Sequence, residues 1–410
     1  MKVAHLVAGD LDGGAARGAY WMHLALLQEG INSTVLTNSF KKNLGQNVTS
    51  VSSGKVSKLK SILREEIDSG LSIFYKNREK KIFSTGVVGY NFTKTIQYKE
   101  ANIVHLHWVN NGFVNMKHLA KVKKPIVWTL RDMWPMTGGC HYSYECENYN
   151  SGCGCCKQLN SHKKNDLSRM VLRRKQKLIP KNTTLVGISN WISEVARKSY
   201  LFNGFDIRTI FNGINTDEFI PIEKNIAKQS LGILSDKTLI LCGACSLKER
   251  YKGFSKYIEA MNYLDRSKYL LCFFGNLDES EVSKLGFEFI NFGYLHDILL
   301  MRLVYSAADI FVAPSIMEAF GKTLVESLAC GTPVVCFDAT GPQDIIDHKV
   351  NGYKAEPFNC EDLAEGINWI SKNKDSSQLI LSSREKAVNA FDTKIVAKKY
   401  LDIYCELLNK

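Results

Sequence analysis

The sequence predicts an α/β protein with two doubly wound, Rossmann-like domains. Strand patterns alternate with helical patterns in one series that opens at Val3–Val7 and in a second that opens at Thr238–Gly243. Such alternation is typical of parallel sheets covered by helices. A chain of 410 residues is too long for one core and suits two.

The first domain, placed at 1–210, opens with a strand, a glycine-rich turn and an apolar helical pattern that runs through Leu27. Four further strands are predicted at Thr34–Thr37, Val104–Trp108, Pro125–Leu130 and Thr184–Ser189. The start is read as a strand rather than a signal peptide, and no apolar run approaches the roughly 20 residues that span a bilayer. We therefore expect a cytoplasmic protein.

A linker is predicted at 211–221, because Ile210–Phe219 and Pro221 place turn residues between the two series. The second domain is placed at 222–390. Its strands are predicted at Thr238–Gly243, Leu270–Gly275, Phe289–Gly293, Asp309–Pro314 and Pro333–Phe337. The final segment, 391–410, carries a helical pattern from Asp392 to Leu408.

Two carboxylates, Glu318 and Glu326, lie eight residues apart between the last two strands. Strand, loop, helix and strand in this order form a βαβ unit, whose ligand site lies beyond the carboxyl ends of the strands. Gly321–Thr323 would open the helix, where free N–H groups favour a phosphate. One acid before an anion site and one behind it indicate a sugar–diphosphate–ribose ligand. The alternative is a surface helix that carries two glutamates by chance.

This segment, with Tyr305–Asp309 before it and Ala329–Val335 after it, resembles the E-x7-E signature of retaining glycosyltransferases of family 4, which have the two-domain GT-B fold. The Ile210–Phe219 linker is similar to that of the same family. The resemblance implies domains that face each other across a cleft, and a last helix that crosses back to the first domain. It also implies acceptor binding by the first domain and nucleotide-sugar binding by the second.

The activity implied is a hexosyl or N-acetylhexosaminyl transfer from a nucleotide-diphosphate sugar, with uridine diphosphate sugars the commonest donors. The acceptor would be a glycan or a lipid-linked glycan, as in bacterial surface polysaccharide or lipopolysaccharide synthesis. No catalytic cofactor is expected, since no Asp-x-Asp metal motif stands out. A fixed lysine and a helix start would stabilise the leaving diphosphate instead.

We predict that Glu318 is catalytic: with the Phe320–Gly321 backbone it would hold and polarise the donor sugar, and Glu326 would hold the ribose. The other donor contacts that the resemblance implies in this stretch and before it are Gly275, Tyr294, Lys322, Thr323 and Leu324.

The segment after the first strand of the second domain supplies the lysine. Lys252 matches a family lysine that binds the diphosphate together with an arginine, and we predict that it is catalytic. Ser246 stands where that arginine is expected. Lys248 or Arg250 would then supply the missing charge, or Ser246 would donate one hydrogen bond.

Gly13 and Gly14 follow the first strand and would let the backbone approach a ligand closely. The pattern is not the full G-x-G-x-x-G fingerprint, which disfavours nicotinamide or flavin binding. In the resembling family this loop faces the sugar diphosphate. Arg17, in the same segment, is a candidate acceptor contact.

His105 and His107 end a predicted strand on one face. His107 is nearer the carboxyl end, where similar enzymes place a histidine that contacts the transferred sugar, whereas His105 better fits a satisfied core histidine. Asn110, Arg131 and Asp132 follow strand ends and are candidate acceptor contacts. A retaining transfer needs no separate base, because the leaving phosphate can take the acceptor proton.

Five of the twelve cysteines fall between positions 140 and 156. Cytosolic disulfides are uncommon, so this density suggests a metal site. Four thiolates would make a closed, structural zinc site. The predicted ligands are Cys140, Cys146, Cys153 and Cys156. The alternative is a set of reduced thiols that pack an aromatic-rich loop.

The formal net charge of +12 raises the question of nucleic-acid or membrane binding. No nucleic-acid motif accompanies the basic segments. Ser61–Tyr75 mixes apolar and charged residues at helical spacing, as in helices that lie on acidic lipid headgroups, so inner-membrane association is one reading and a solvated helix face is the other.

Two rival functions remain. A sugar-nucleotide 2-epimerase shares the two-domain architecture, although its acid–base set is not evident. A non-catalytic subunit that binds a sugar nucleotide or a glycan is compatible with the departure at Ser246. Only a transferase forms a new glycosidic bond, so detecting that bond would exclude both rivals.

Overall fold

A computed structural model describes residues 1–409 and divides them into two compact α/β units. The first unit contains Met1–Phe211 and the C-terminal residues from Val396, and the second contains Asn212–Ile395. The predicted fold class is confirmed, because each unit is built on a parallel sheet with helices around it.

The first unit contains a seven-stranded sheet in the order β3-β2-β1-β4-β5-β6-β7. Its strands are β1 Lys2–Leu6, β2 Asn32–Thr37, β3 Val48–Ser50, β4 Ile103–Leu106, β5 Ile126–Leu130, β6 Thr184–Gly187 and β7 Ile207–Thr209. Its helices are α1 Gly14–Gln28, α2 Lys55–Gly70, α3 Ile96–Glu100, α4 Met116–Leu119, α5 Leu167–Leu178 and α6 Asn190–Lys198.

The second unit contains a six-stranded sheet in the order β10-β9-β8-β11-β12-β13. Its strands are β8 Thr238–Ser246, β9 Tyr269–Asn276, β10 Phe289–Asn291, β11 Ile310–Ala313, β12 Val334–Phe337 and β13 Gly352–Ala355. Its helices are α7 Lys224–Ser230, α8 Phe254–Met261, α9 Glu279–Ser283, α10 Ile298–Ala307, α11 Lys322–Ala329, α12 Cys360–Asn373 and α13 Ser377–Phe391.

The last helix, α14 (Thr393–Leu408), begins in the second unit and belongs to the first from Val396 onward. Its Tyr400 and Tyr404 are buried with Met22 and Leu26 of α1 in one core of the first unit. Across residues 1–409, no helix combines the length and apolar character that crossing a bilayer requires.

In both sheets the strand order reverses at one point, between β1 and β4 in the first unit and between β8 and β11 in the second. Ligands of doubly wound sheets bind beyond the carboxyl ends of the strands at such a point. A ligand site is therefore expected in the segments that follow these four strands.

Candidate functional site

The second unit places Lys252 and Glu318 together at its reversal point. Lys252 follows β8 and Glu318 follows β11, and their side chains form a close ion pair. Both side chains are mostly buried, at 19% and 16% exposure. A mostly buried ion pair thus lies beyond the carboxyl ends of two adjacent strands, where doubly wound sheets bind their ligands.

A tight backbone contact positions Lys252 relative to Glu318. Gly253 has φ 69°, and a Cβ atom there would lie 1.9 Å from the Pro314 carbonyl oxygen. The Tyr251 carbonyl accepts hydrogen bonds from the N–H groups of Ile316 and Met317, at 2.9 and 3.2 Å. The turn that carries Lys252 therefore packs directly on the loop that carries Glu318.

The helix α11 begins beside that loop. Gly321 precedes it in a left-handed conformation and provides no side-chain cap, and the start of a helix favours an anion. Glu326 lies one turn further on and is fully buried. Its Oε2 accepts a hydrogen bond from the Tyr305 hydroxyl at 3.0 Å, and Lys322 Nζ lies 3.2 Å from its Oε1.

The loop after β12 supports Glu318 from the other side. The Gly341 N–H donates to the Glu318 carbonyl at 2.9 Å, and the Glu318 N–H donates to Thr340 Oγ1 at 3.3 Å. Thr340 itself has φ 53°, an uncommon conformation for a threonine. The sequence pattern did not reveal this support, because a strained threonine has no sequence signature.

Two basic residues, Lys248 and Arg250, lie between Ser246, where the arginine is expected, and Lys252. Lys248 and Arg250 are exposed and line a cavity of about 310 Å³ together with Asp278 and Glu281. Lys252 and Glu318 do not line that cavity. A phosphate role for Lys248, Arg250 or Ser246 stays a prediction.

The remaining donor candidates occupy different environments. Phe320 and Leu324 are buried, so only their backbone faces a ligand without rearrangement. Gly275 is required by packing, because a Cβ atom there would lie 1.6 Å from the Ala244 carbonyl oxygen. Tyr294 is half exposed, and its ring lies against that of His296, with centroids 4.4 Å apart and planes tilted by 50°.

The glycine-rich turn of the first unit is open. Gly13 precedes α1 and Gly14 is its first residue. Both have negative φ, and a Cβ atom on either would meet nothing within 4 Å. Neither close packing nor a positive φ requires glycine at these two positions, and the approach of a ligand to this turn stays a prediction. Arg17, one turn into α1, lies over the ring of Trp21.

Gly14→Ala is therefore expected to leave the free energy of unfolding unchanged or to raise it by up to about 1 kcal/mol, since alanine favours a helix over glycine. If a ligand lies against the turn, the same methyl group will lower turnover. Thermal unfolding and initial rates of the two proteins check this. Equal rates would show that nothing approaches Gly14.

His107 is buried with both ring nitrogens engaged. Arg131 Nε and Nη2 lie 3.4 and 3.3 Å from its Nδ1. A guanidinium only donates, so Nδ1 accepts and the proton resides on Nε2, 2.9 Å from His5 Nδ1. Burial lowers the pKa of His107 well below its usual value, as do the nearby His105 and Arg131. His107 would have to exchange a partner to reach a sugar, and its sugar contact stays a prediction.

His105 lies beside His107 in the core, as its position in the strand suggested. Its Nδ1 is 2.6 Å from the Tyr404 hydroxyl and its Nε2 is 2.7 Å from Thr129 Oγ1. Ligand atoms of His5, His105 and His107 lie within 4.8 Å of one another. The neighbouring Arg131 guanidinium opposes a second cation there, so we read this group as a hydrogen-bonded core.

Two family models together match most of the chain: Glycosyltransferase Family 4 matches residues 12–218, and Glycosyl transferases group 1 matches residues 223–387. The chain belongs to the family 4, group 1 glycosyltransferases. The predicted family is thereby confirmed, while the retaining mechanism stays a prediction.

Individual relatives agree with this family. The chain is 29% identical over 202 residues to the N,N'-diacetylbacillosaminyl-diphospho-undecaprenol alpha-1,3-N-acetylgalactosaminyltransferase of Campylobacter jejuni. This match spans 47% of the chain and 52% of the relative, so the chain covers about half of the relative's length. It is 25% identical to a putative colanic acid biosynthesis glycosyl transferase of Escherichia coli, over 82% of each chain. The crystal structure of Anabaena HepE with UDP-glucose has a TM-score of 0.64 at 16% identity and covers 99% of this chain and 100% of its own.

Two acceptor candidates of this glycosyltransferase, Asn110 and Asp132, meet at a histidine, His141, that the sequence pattern did not single out. Asp132 Oδ2 lies 2.7 Å from His141 Nδ1 and accepts from Trp108 Nε1, also at 2.7 Å. Asn110 Nδ2 lies 3.5 Å from His141 Nδ1. Since β4 and β5 are adjacent, Trp108 and Asp132 meet beyond their ends.

The far side of His141 is also occupied. Its Nε2 lies 3.1 Å from Ser84 Oγ, and all three of Ser84, His141 and Asp132 are buried. The Asp132 carboxylate orients the ring by holding Nδ1–H, so Ser84 donates to Nε2. The glycosyltransferase thus carries a buried serine–histidine–aspartate chain beside its acceptor candidates.

The cysteine-rich loop contains free thiols. Burial raises the pKa of Cys153 to about 12, partly opposed by the Gly138 N–H group. Burial raises that of Cys156 to about 11, opposed by the N–H groups of Leu159 and Gln158. Within residues 1–409, the ligand atoms of His5, His105 and His107 lie within 4.8 Å of one another, whereas no set of three cysteines meets this distance. Binding of an ion would therefore require the thiols to move closer together.

A buried lysine lies near these thiols. Lys175 Nζ donates to the Thr137 carbonyl at 2.9 Å and to the Trp134 carbonyl, and it lies 3.6 Å from the Trp134 ring centroid. Burial lowers its pKa to about 7, and the thiols Cys140 and Cys153 act in the opposite direction.

Proposed function

We propose that this glycosyltransferase is a retaining enzyme that moves a hexosyl or N-acetylhexosaminyl group from a uridine diphosphate sugar. The observation that carries the proposal is the Lys252–Glu318 ion pair beside the uncapped start of α11. Negative charge grows on the diphosphate as the sugar–phosphate bond breaks, and fixed donors and cations stabilise it without reorganising.

The division of roles follows the chain's own contacts. Lys252 and the N–H groups after Gly321 hold the diphosphate. Glu326, which is fully buried, exchanges its contact with Lys322 for a ribose hydroxyl. Glu318 orients the donor sugar, and its position is fixed by the Thr340–Gly341 loop. The acceptor hydroxyl attacks from the leaving-group face and passes its proton to the diphosphate oxygen, so the anomeric configuration is kept.

A lipid-linked glycan is the proposed acceptor. The Campylobacter relative is named for a diphospho-undecaprenol acceptor, and a polyprenyl-linked substrate stays in a membrane. The enzyme would therefore act at the inner membrane surface. Asn110, Arg131 and Asp132 are the acceptor contacts we propose, with His141 as a fourth. Surface polysaccharide or lipopolysaccharide synthesis is the process that uses such a product.

The test is a donor screen followed by analysis of the product. Thermal shift with uridine diphosphate sugars identifies the donor, because a ligand at 100 times its Kd adds roughly 2.7 kcal/mol to stability. Transfer to a polyprenyl-diphosphate glycan is then followed by NMR of the anomeric proton. A product of inverted configuration would refute retention, and donor binding without transfer would favour a non-catalytic sugar-nucleotide-binding subunit.

We propose, separately, a structural zinc ion held by Cys140, Cys146, Cys153 and Cys156. Its support is the density of free thiols, the N–H groups directed at Cys153 and Cys156, and the buried Lys175 nearby, whose protonated form an anionic zinc–thiolate group would favour. Such an ion would stabilise the loop and take no part in transfer.

Zinc measured in protein purified without chelator is expected at about one ion per chain. Cys153→Ser should lose the ion, whereas Cys155→Ser, which changes an exposed neighbour outside the proposed set, should keep it. A wild-type protein without zinc, or equal zinc in both variants, contradicts the site.

A further inference from the structure

The helix α2 carries its apolar residues on the side that faces solvent. Val56, Leu59, Leu63 and Ile67 follow helical spacing along one face, and 50–67% of each residue is exposed. A surface helix normally turns its apolar stripe toward the core. Here the stripe points away from the unit to which the helix belongs.

The opposite face of α2 is polar and attaches the helix to the first unit. Ser61 and Asp68 are its buried residues. Asp68 accepts hydrogen bonds from Thr85 Oγ1 at 2.8 Å and from the Gly112 N–H at 3.4 Å. A Cβ atom on Gly112 would lie 2.5 Å from the Arg64 carbonyl carbon, so the backbones are in close contact. The outward direction of the apolar face is therefore built into the fold.

The apolar face continues beyond the helix, through a 3-10 turn at Leu71–Phe74 in which Phe74 is 84% exposed. We define the α2 patch as the exposed residues Val56, Leu59, Ile62, Leu63, Ile67, Ile73 and Phe74. Between positions 55 and 82 the chain has eight Lys and Arg residues against four Asp and Glu residues, a net charge of +4. Lys55, Lys58 and Lys60 are exposed on α2 itself.

We propose that the α2 patch docks the first unit onto an acidic lipid bilayer. The apolar side chains enter the boundary between headgroups and acyl chains, and the surrounding lysines contact anionic headgroups. Lysine-rich borders favour lipid over protein, because lysine is depleted at protein interfaces, where tyrosine, tryptophan and arginine are enriched. This inference rests on the proposed function in one respect: an enzyme that uses a polyprenyl-linked acceptor must reach that acceptor at a membrane.

The full chain is tested by flotation with vesicles of phosphatidylcholine alone and with phosphatidylglycerol added. We expect binding to the acidic vesicles that weakens as salt is raised. The variant L59Q/L63Q/I67Q should lose roughly tenfold or more in partitioning, since three apolar side chains no longer leave water. Glutamine suits an exposed helix, so the fold should be kept.

The matched control is L234Q/L299Q/L381Q, which removes three exposed leucines of the second unit and should bind vesicles like the wild type. K55Q/K58Q/K60Q should bind more weakly and with a smaller salt dependence. Equal flotation of the two triple glutamine variants overturns the proposal. So does a wild-type dimer that L59Q/L63Q/I67Q makes monomeric, because the patch would then belong to a second copy.

A soluble assay separates this inference from the proposed function. Thermal shift by the uridine diphosphate sugar, measured without vesicles, should be the same in L59Q/L63Q/I67Q and the wild type. If the wild type floats but neither binds nor turns over any donor, the function fails and the docking surface stands. If it transfers sugar to a detergent-soluble acceptor but does not float, the docking surface fails and the function stands.

Discussion

Lys252→Met is expected to lower kcat for sugar transfer by about 10²–10³-fold and to raise the donor KM by a smaller factor. The ammonium group is fixed against Glu318 and beside the start of α11. Charge develops on the diphosphate mainly as the bond breaks, so the cation stabilises the transition state more than the bound donor. Methionine keeps the length of the side chain and removes the charge. Initial rates over a range of donor concentrations give both constants.

The pKa of Lys252 supports a permanent charge. Burial lowers this pKa, but the Glu318 carboxylate outweighs burial, and the net result is a pKa above the usual value of 10.5. Lys252 therefore remains protonated throughout the neutral range. A pH–rate profile should show no loss of activity from this group as the pH rises toward 10.

Lys256→Met is the matched control for the charge. Lys256 lies four residues further on, pairs with Glu259 at 3.0 Å and is more exposed, so its removal should leave kcat roughly unchanged. Lys252→Met also leaves Glu318 without its ion pair. The double variant K252M/E318Q removes that unpaired carboxylate, and its stability shows whether unfolding contributes to the lost rate. Equal kcat values for Lys252→Met and Lys256→Met would show that Lys252 takes no part in the transfer.

The sequence was enough to predict that Lys252 and Glu318 of the second unit's candidate site lie together, because each residue lies in the segment after a strand. Lys252 and Glu318 each follow a predicted strand, and parallel strands bring their carboxyl ends to one edge of a sheet. The order of strands around β8 and β11 then decides which loops meet. The same reasoning predicted that Gly321 opens α11, and the structure agrees.

The acceptor side was harder to predict because its contacts join distant positions. His141 was read only as part of a cysteine-rich segment, yet it lies against Asp132 and Ser84. Arg131, a candidate acceptor contact, donates to buried His107, a contact that joins two different strands and that no local pattern predicts; its role toward an acceptor stays a prediction. The short strands β3, β7 and β13 were also missed, since none of them contains a run of apolar residues.

Gly253→Ala should destabilise the second unit by about 3 kcal/mol or more. Two costs combine: a positive φ of 69°, and a Cβ atom placed 1.9 Å from the Pro314 carbonyl oxygen. Backbone cannot yield as a flexible side chain can, so the turn and the Glu318 loop must separate. Chemical denaturation of both proteins measures the difference.

Gly232→Ala separates the two costs. Gly232 has nearly the same φ, 68°, but a Cβ atom there meets nothing within 4 Å, so only the conformational cost of about 1 kcal/mol is expected. The excess loss in Gly253→Ala then measures the backbone contact that brings Lys252 to Glu318. If that contact positions the cation, Gly253→Ala will lower kcat under conditions where it remains folded, and Gly232→Ala will not. Equal destabilisation by the two substitutions would mean that the loop at Pro314 moves freely, and that the ion pair, rather than the backbone, sets the geometry of the site.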